Sequence, residues 1–154
     1  MRFSAMPIET GTYLTPYTGA GHQLVLEIYV SSLEHSISFY TSLGFQLERV
    51  DPNLFAQMSW EHCLLFLEQK NIERHTAARQ SWSPGNLRIM VPDVDVKYDE
   101  CKRLGYTIQN EIGNRTYALR DFIVLDPDGF GVRFGSYLGK RQREKQVPGP
   151  PNDD

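Results

Sequence analysis

Few residues of this chain could hold a metal or move a proton, and their spacing removes most of the chemistry open to them. There are four histidines, His22, His35, His62 and His75, and no two stand at HxH or HxxxH spacing. Those spacings are what place two imidazoles on one strand face or one helical face around a metal ion. His35 falls in a polar helical register, His75 in a polar run, and His62 beside Trp60-Glu61, where a turn could present it. The two cysteines, Cys63 and Cys101, form no CxxC pair, so neither a metal cluster nor a disulfide framework is expected. Both fall in apolar stretches and read as core packing. For proton transfer, Glu27 and His62 are the candidate bases.

Composition narrows the partners. The chain has 154 residues, 40% hydrophobic and 23% charged, with a net charge of −3. A basic nucleic-acid footprint is therefore not expected. No run approaches the ~18 apolar residues of a membrane span, and the opening MRFSAMPIET lacks an apolar signal-peptide core, so a cytoplasmic protein is the expectation. Residues 1–22 are rich in Gly and Pro without a sustained period and read as an N-terminal extension. The tail, 139–154, is charged and then Pro-rich, and reads as disordered.

The elements that must position any site are set by an internal repeat. The segment LVLEIYVSSLEHSISFYTSLGF (24–45) aligns without gaps on GNLRIMVPDVDVKYDECKRLGY (85–106), an offset of 61 residues. Leu26 matches Leu87, Ile28 matches Ile89, Val30 matches Val91, Leu43 matches Leu104 and Gly44 matches Gly105. Each copy opens with a period-two strand, in which Leu24, Leu26, Ile28 and Val30 form one apolar face of the first. A helix follows, capped by Ser31 or Ser32 in the first copy, with Glu34 placed for a capping box from Ser31, and by Asp93 in the second. The helical stripes are Leu33, Ile37, Tyr40, Leu43 and Val94, Tyr98, Cys101, Leu104, and Gly44 and Gly105 end the helices. Strands are expected at FQLERVD, LFAQMSW and CLLFLEQ, then at YTIQNEI, FIVLDPDG and GVRFGSY, with the run Asp126-Pro127-Asp128-Gly129 as a hairpin turn. The result is an α+β protein of two βαβββ modules, 23–69 and 85–138, joined by a polar linker, 70–84.

Two motifs carry a family resemblance. SISFYTSLGF (36–45) resembles the first helix of the vicinal-oxygen-chelate, or glyoxalase/bleomycin resistance/dioxygenase, superfamily, and RDFIVLDPDGFGVRF (120–134) resembles its C-terminal hairpin. The bleomycin-resistance-protein-like branch is the most similar. The resemblance covers about residues 23 to 136 and implies curled mixed sheets around a groove. In enzymatic members it implies a divalent metal held by His, Gln or Glu on the first and last strands of each module. Carried over, those places are Val25, Leu65, Asn86 and Arg133. Val and Leu offer no donor, Asn a weak one, and Arg a permanent positive charge. No metal and no cofactor are expected.

Strand parity names what the groove would present instead. Glu27, Tyr29, Leu65, Leu67, Asn86, Arg88, Met90 and Arg133 are the expected lining, and Trp60 at the turn either anchors packing or stacks on a planar ligand. Glu27 could pair with Arg88 or Arg133, or the arginines could meet an anionic or amide-rich ligand. The resemblance implies a metal-free small-molecule-binding protein that sequesters a drug or metabolite in a groove at a homodimer interface. A cationic drug such as bleomycin would be repelled by two groove arginines. The alternative is a metal-dependent or atypical glyoxalase-like lyase, isomerase or dioxygenase-related enzyme, the atypical form using Glu27 or His62 as its base.

Overall fold

Strand pairing follows the sequence duplication. The structure, a computed structural model, describes residues 24–71 and 85–139. The chain divides into two compact units, residues 1–74 and 75–154. The first unit runs β1 (Leu26–Val30), α1 (Leu33–Leu43), β2 (Gln46–Asp51), β3 (Phe55–Trp60) and β4 (Cys63–Gln69). The second runs β5 (Asn86–Met90), α2 (Val94–Arg103), β6 (Ile108–Asn114), β7 (Leu119–Leu125) and β8 (Gly131–Tyr137). Each unit is one mixed four-stranded sheet, ordered β1-β4-β3-β2 and β5-β8-β7-β6, with only the first pair of each parallel. The expected α+β architecture of two βαβββ modules is thus present. No helix of the described residues is long and apolar enough to cross a membrane.

The helix ends show why the two copies fold alike. Ser32 caps α1 by accepting from the His35 amide at 3.4 Å, so Glu34 lies in the first turn and not at a capping-box position. Asp93 caps α2 by accepting from the amides of Asp95 and Val96 at 3.0 and 3.1 Å. At the other end, Gly44 donates to the Thr41 carbonyl at 3.1 Å and Phe45 to the Tyr40 carbonyl at 3.0 Å. Gly105 and Tyr106 repeat both bonds to Lys102 and Cys101 at 3.0 and 3.2 Å, the Schellman pattern in each copy. Both glycines carry positive φ, +123° and +75°.

Each helix covers one face of its sheet. Ile28, Val30, Ala56, Met58, Leu65 and Leu67 of the first sheet are buried, together with Leu33, Phe39, Tyr40 and Leu43 of α1. In the second unit Phe122, Val124, Val132 and Phe134 have no exposure; Tyr98 of α2 meets the Phe122 ring at 5.1 Å and Lys97 lies over Phe134 at 5.7 Å. The face of each sheet turned away from its helix is called the open face below.

Several sequence expectations are corrected here. The α1 stripe is Leu33, Ser36, Phe39, Tyr40 and Leu43, with Ile37 half-buried at its margin, because the helix packs on a broader arc than one line of large residues. Leu24 lies before β1 and is 92% exposed, and Leu104 is 44% exposed at the end of α2, past the sheet. Cys63 is exposed because it opens β4 directly after a two-residue turn; Cys101 is buried as expected. β7 begins at Leu119, three residues earlier than FIVL suggests, which brings Asp121 into the strand. The expectations for residues 1–22 and 72–84, for His75, and for the tail beyond Gly139 lie outside the described residues.

Trp60 proves to be a packing anchor. It shares strand parity with Ala56 and Met58, on the helix side, and its ring meets Phe45 edge-on at 5.3 Å. A Cβ on Gly44 would lie 3.0 Å from the Trp60 ring. Gly44→Ala therefore combines a strained backbone with a clash, and should lower unfolding stability by about 2 kcal/mol or more. Gly105→Ala, with open space around it, should cost less. Denaturant titration of the two variants checks this, and equal losses would show that the Trp60 contact contributes nothing.

Candidate functional site

The open face of the second sheet gathers the charge. Alternation along β7 puts Asp121 and Ile123 opposite Phe122 and Val124, hence away from α2. Cross-strand register then builds two rows. Arg88 of β5 lies beside Arg133 of β8, which lies beside Ile123 of β7; Met90 lies beside Gly135, which lies beside Asp121. Asn86, beside Gly131, extends the same face. The predicted set Asn86, Arg88, Met90 and Arg133 is thus brought together, and Met90 is 42% exposed there.

The sequence reading missed the residue at the centre. Asp121 has no side-chain exposure and takes Arg115 Nε at 2.6 Å, Tyr117 Oη at 3.0 Å, Arg88 Nη1 at 3.2 Å and Arg133 Nη1 at 3.6 Å. Arg115 also donates to the Asp121 carbonyl at 3.1 Å, to the Asn110 side chain at 3.2 Å and to the Glu111 carbonyl at 3.0 Å. The hairpin between β6 and β7 aims Arg115 and Tyr117 inward: the Arg115 amide donates to the Leu119 carbonyl at 2.6 Å, and Ala118 takes a positive φ of 63°. Burial opposes ionisation of Asp121, but hydrogen bonds from Arg115 and Tyr117, with the Arg115 and Arg133 charges, outweigh it and hold the carboxyl below its usual range. The neighbouring Arg120 points to the other side and grips Asp95 in the first turn of α2, with its Nη2 2.8 Å from the carboxylate.

The open face of the first sheet is of different character. Glu27 and Tyr29 lie on it as expected, both exposed. Leu65 and Leu67 do not. They stand beside Leu26 and Ile28 in the parallel β1–β4 pair, so they share the helix-packed face, at 1% and 0% exposure. The open-face residue beside Glu27 is Phe66, followed by Gln57 and Arg49 across β3 and β2. Phe55 meets Phe66 edge-on at 5.1 Å, and Lys70 sits over the Tyr29 ring at 5.6 Å. The arginines' carboxylate partner among the described residues is Asp121, not the expected Glu27. His62, exposed in the β3–β4 turn, precedes Phe66 by four residues, which at ~3.3 Å per residue leaves it roughly 13 Å along β4 from the level of Glu27. The two candidate bases do not form one catalytic pair.

The superfamily's metal positions do not fit a metal. Among the described residues, no group of three or more His, Cys, Asp or Glu side chains could hold one. The place carried to Leu65 is off by one, since Leu65 is turned to the helix and the open-face residue at that level of β4 is Phe66, which offers no donor; Arg133 brings a fixed positive charge beside that of Arg88.

Asp121→Asn should lower stability at pH 7 by about 3 kcal/mol, the low end for breaking a buried pair, because the three arginines keep 18% to 35% exposure and can find water. Since the folded carboxyl is held below its unfolded value of about 3.9, its contribution is present above that pH and is lost as the pH falls through the lower folded value. Urea unfolding at pH 7 and at pH 3 should show a wide gap between wild type and variant that narrows in acid. A gap under about 1 kcal/mol at pH 7, typical of exposed pairs, would remove Asp121 from the centre of the cluster.

Comparison with known proteins agrees with this fold. A sequence profile of the Glyoxalase/Bleomycin resistance protein/Dioxygenase superfamily matches residues 21–134. A glyoxalase/bleomycin resistance protein/dioxygenase from Alicyclobacillus acidocaldarius superposes with a TM-score of 0.63 at 21% identity, covering 77% of this chain and 93% of that one. TioX from Micromonospora sp. ML1 gives 0.60 at 19% identity over 75% and 98% of the two chains. Lactoylglutathione lyase from Agrobacterium tumefaciens gives 0.59 at 16% identity over 73% and 92%. At such identities the likeness is one of fold. No curated protein matches the sequence. The profile match spans most of the chain and both modules, and the chain belongs to the glyoxalase/bleomycin resistance protein/dioxygenase superfamily.

Proposed function

We propose that the chain is a metal-free small-molecule-binding protein of this superfamily, holding a drug or metabolite without transforming it. The observation that carries this reading is Arg133. The resemblance carries a family metal position onto it, and it lies directly beside Arg88 with its Nη1 3.6 Å from Asp121. A guanidinium stays charged at any working pH, and two side by side repel a divalent ion over the few ångströms at which it would have to bind. The other family positions, Val25 and Asn86, supply no strong donor. Purified, untagged protein should contain well under one equivalent of zinc, nickel, iron or manganese by elemental analysis. One equivalent, or a chelator-sensitive lyase, isomerase or dioxygenase activity, would overturn the reading.

A cytoplasmic homodimer completes the proposal. β1 and β5 are the outer strands of their sheets and carry Tyr29 and Met90 at equivalent repeat positions, 59% and 42% exposed. Exposed apolar residues on outer strands favour a covered edge. Light scattering at micromolar concentration should give twice the 17.7 kDa chain mass; a monomer mass would refute the dimer.

A further inference from the structure

The cluster on the second sheet holds more positive charge than it neutralises. Arg88, Arg115 and Arg133 surround one carboxylate, so the four groups together carry two positive charges. The cations are not equivalent. Arg115 is held through both Nε and Nη2, by the Asp121 side chain and carbonyl, Asn110 and the Glu111 carbonyl. Arg88 and Arg133, by contrast, each bond to described residues through Nη1 alone. The Nε of Arg133 is buried and has no hydrogen-bond partner among the described residues. A buried N–H without an acceptor is a standing free-energy cost that an incoming acceptor removes.

Glycines on either side of Arg133 bring the side chains of the neighbouring strands over β8. On the open face of β8 Arg133 stands between Gly131 and Gly135, so the strand offers one guanidinium flanked by bare backbone. A Cβ at Gly135 would lie 3.4 Å from Asp121 Cβ and 3.7 Å from Arg88 Nη1, and one at Gly131 would lie 3.2 Å from Asn86 Cβ. Side chains from β5 and β7 lean over β8 where its own are missing. The Tyr117 ring, 53% exposed, adds an apolar wall beneath the Arg88 guanidinium, 5.9 Å from its centroid.

We infer that Arg88 and Arg133 bind the oxyanion group, a carboxylate or phosphate, of an organic ligand whose apolar part rests on Tyr117, with Asp121 and Arg115 as the fixed frame that aims them. The inference deepens the proposed function and rests on it. Two forked donors side by side match the paired oxygens of such a group. Asp121 keeps the empty site from carrying three unbalanced charges, and the remaining excess of two suits a dianion.

The test is a titration of full-length wild-type protein with succinate and with inorganic phosphate at low ionic strength. It is followed calorimetrically and through the arginine Nε–H signals in nitrogen-15 NMR spectra, with succinamide as the neutral control. Saturable binding in the millimolar range or tighter is expected, with a shift of the Arg133 Nε–H signal and no response to succinamide. The tighter of the two anions tells carboxylate from phosphate. Arg88→Gln should weaken binding roughly ten-fold or more, the loss of charge-assisted hydrogen bonds, whereas Arg103→Gln on the exposed surface of α2 should not. Arg133→Lys retains the charge but not the fork, so it tests geometry without emptying the site, and should also bind more weakly. Absence of saturable binding to either anion, or undiminished binding by Arg88→Gln, overturns the inference. Those failures in a metal-free protein leave the proposed function standing, whereas a stoichiometric metal removes that function whatever the anions do.

Discussion

A carboxylate with no solvent exposure stays ionised only where cations reach it, and Asp121 is such a group. The demand it makes organises the second unit. Arg88 reaches it from β5 and Arg133 from β8, while Arg115 and Tyr117 fold back from the β6–β7 hairpin. One side chain on β7 is therefore tied to every other part of its sheet. The glycines follow from the same demand. At Gly135 the absence of a side chain lets Asp121 and Arg88 meet across an intervening strand.

The two modules preserve the helix side of the fold and diverge on the other. Both helices end in the same pair of backbone bonds at the same repeat positions, and both pack on fully buried strand residues. The open faces share no such pattern. The first presents Phe55, Phe66 and Tyr29 with Glu27 at the rim, and the second presents arginines around an acid. Packing against a helix fixes size and polarity closely, whereas a face directed at a ligand is free to change with the ligand.

How far the sequence revealed this depends on which kind of regularity encodes each part. The repeat at offset 61 marks β1, α1, β5 and α2 because caps, stripes and glycines recur with it. Parity in β5 and β8 placed Asn86, Arg88, Met90 and Arg133 on one face. It failed in β4, where Leu64, Leu65, Phe66 and Leu67 form a continuous apolar run and only the register with β1 tells the faces apart. Asp121 escaped because the apolar run starts at Phe122 when a strand is sought by hydrophobicity; continuing the alternation of Leu125 and Ile123 backward would have reached it. Arg115 and Tyr117 lie in a hairpin with no period, and their inward aim comes from a positive φ at Ala118 that no pattern announces.

The two thiols differ in reactivity for reasons already set by their places in the fold. Cys101 sits against the second sheet with no exposure, and burial pushes its thiol up to about 11. At neutral pH it is almost wholly protonated, and it is the thiolate that attacks electrophiles and oxidants. Cys63 opens β4 in full contact with solvent. Of the two thiols, Cys63 is therefore the one an oxidant in solution can reach, and a sulfenic acid or mixed disulfide would form there before it formed at Cys101.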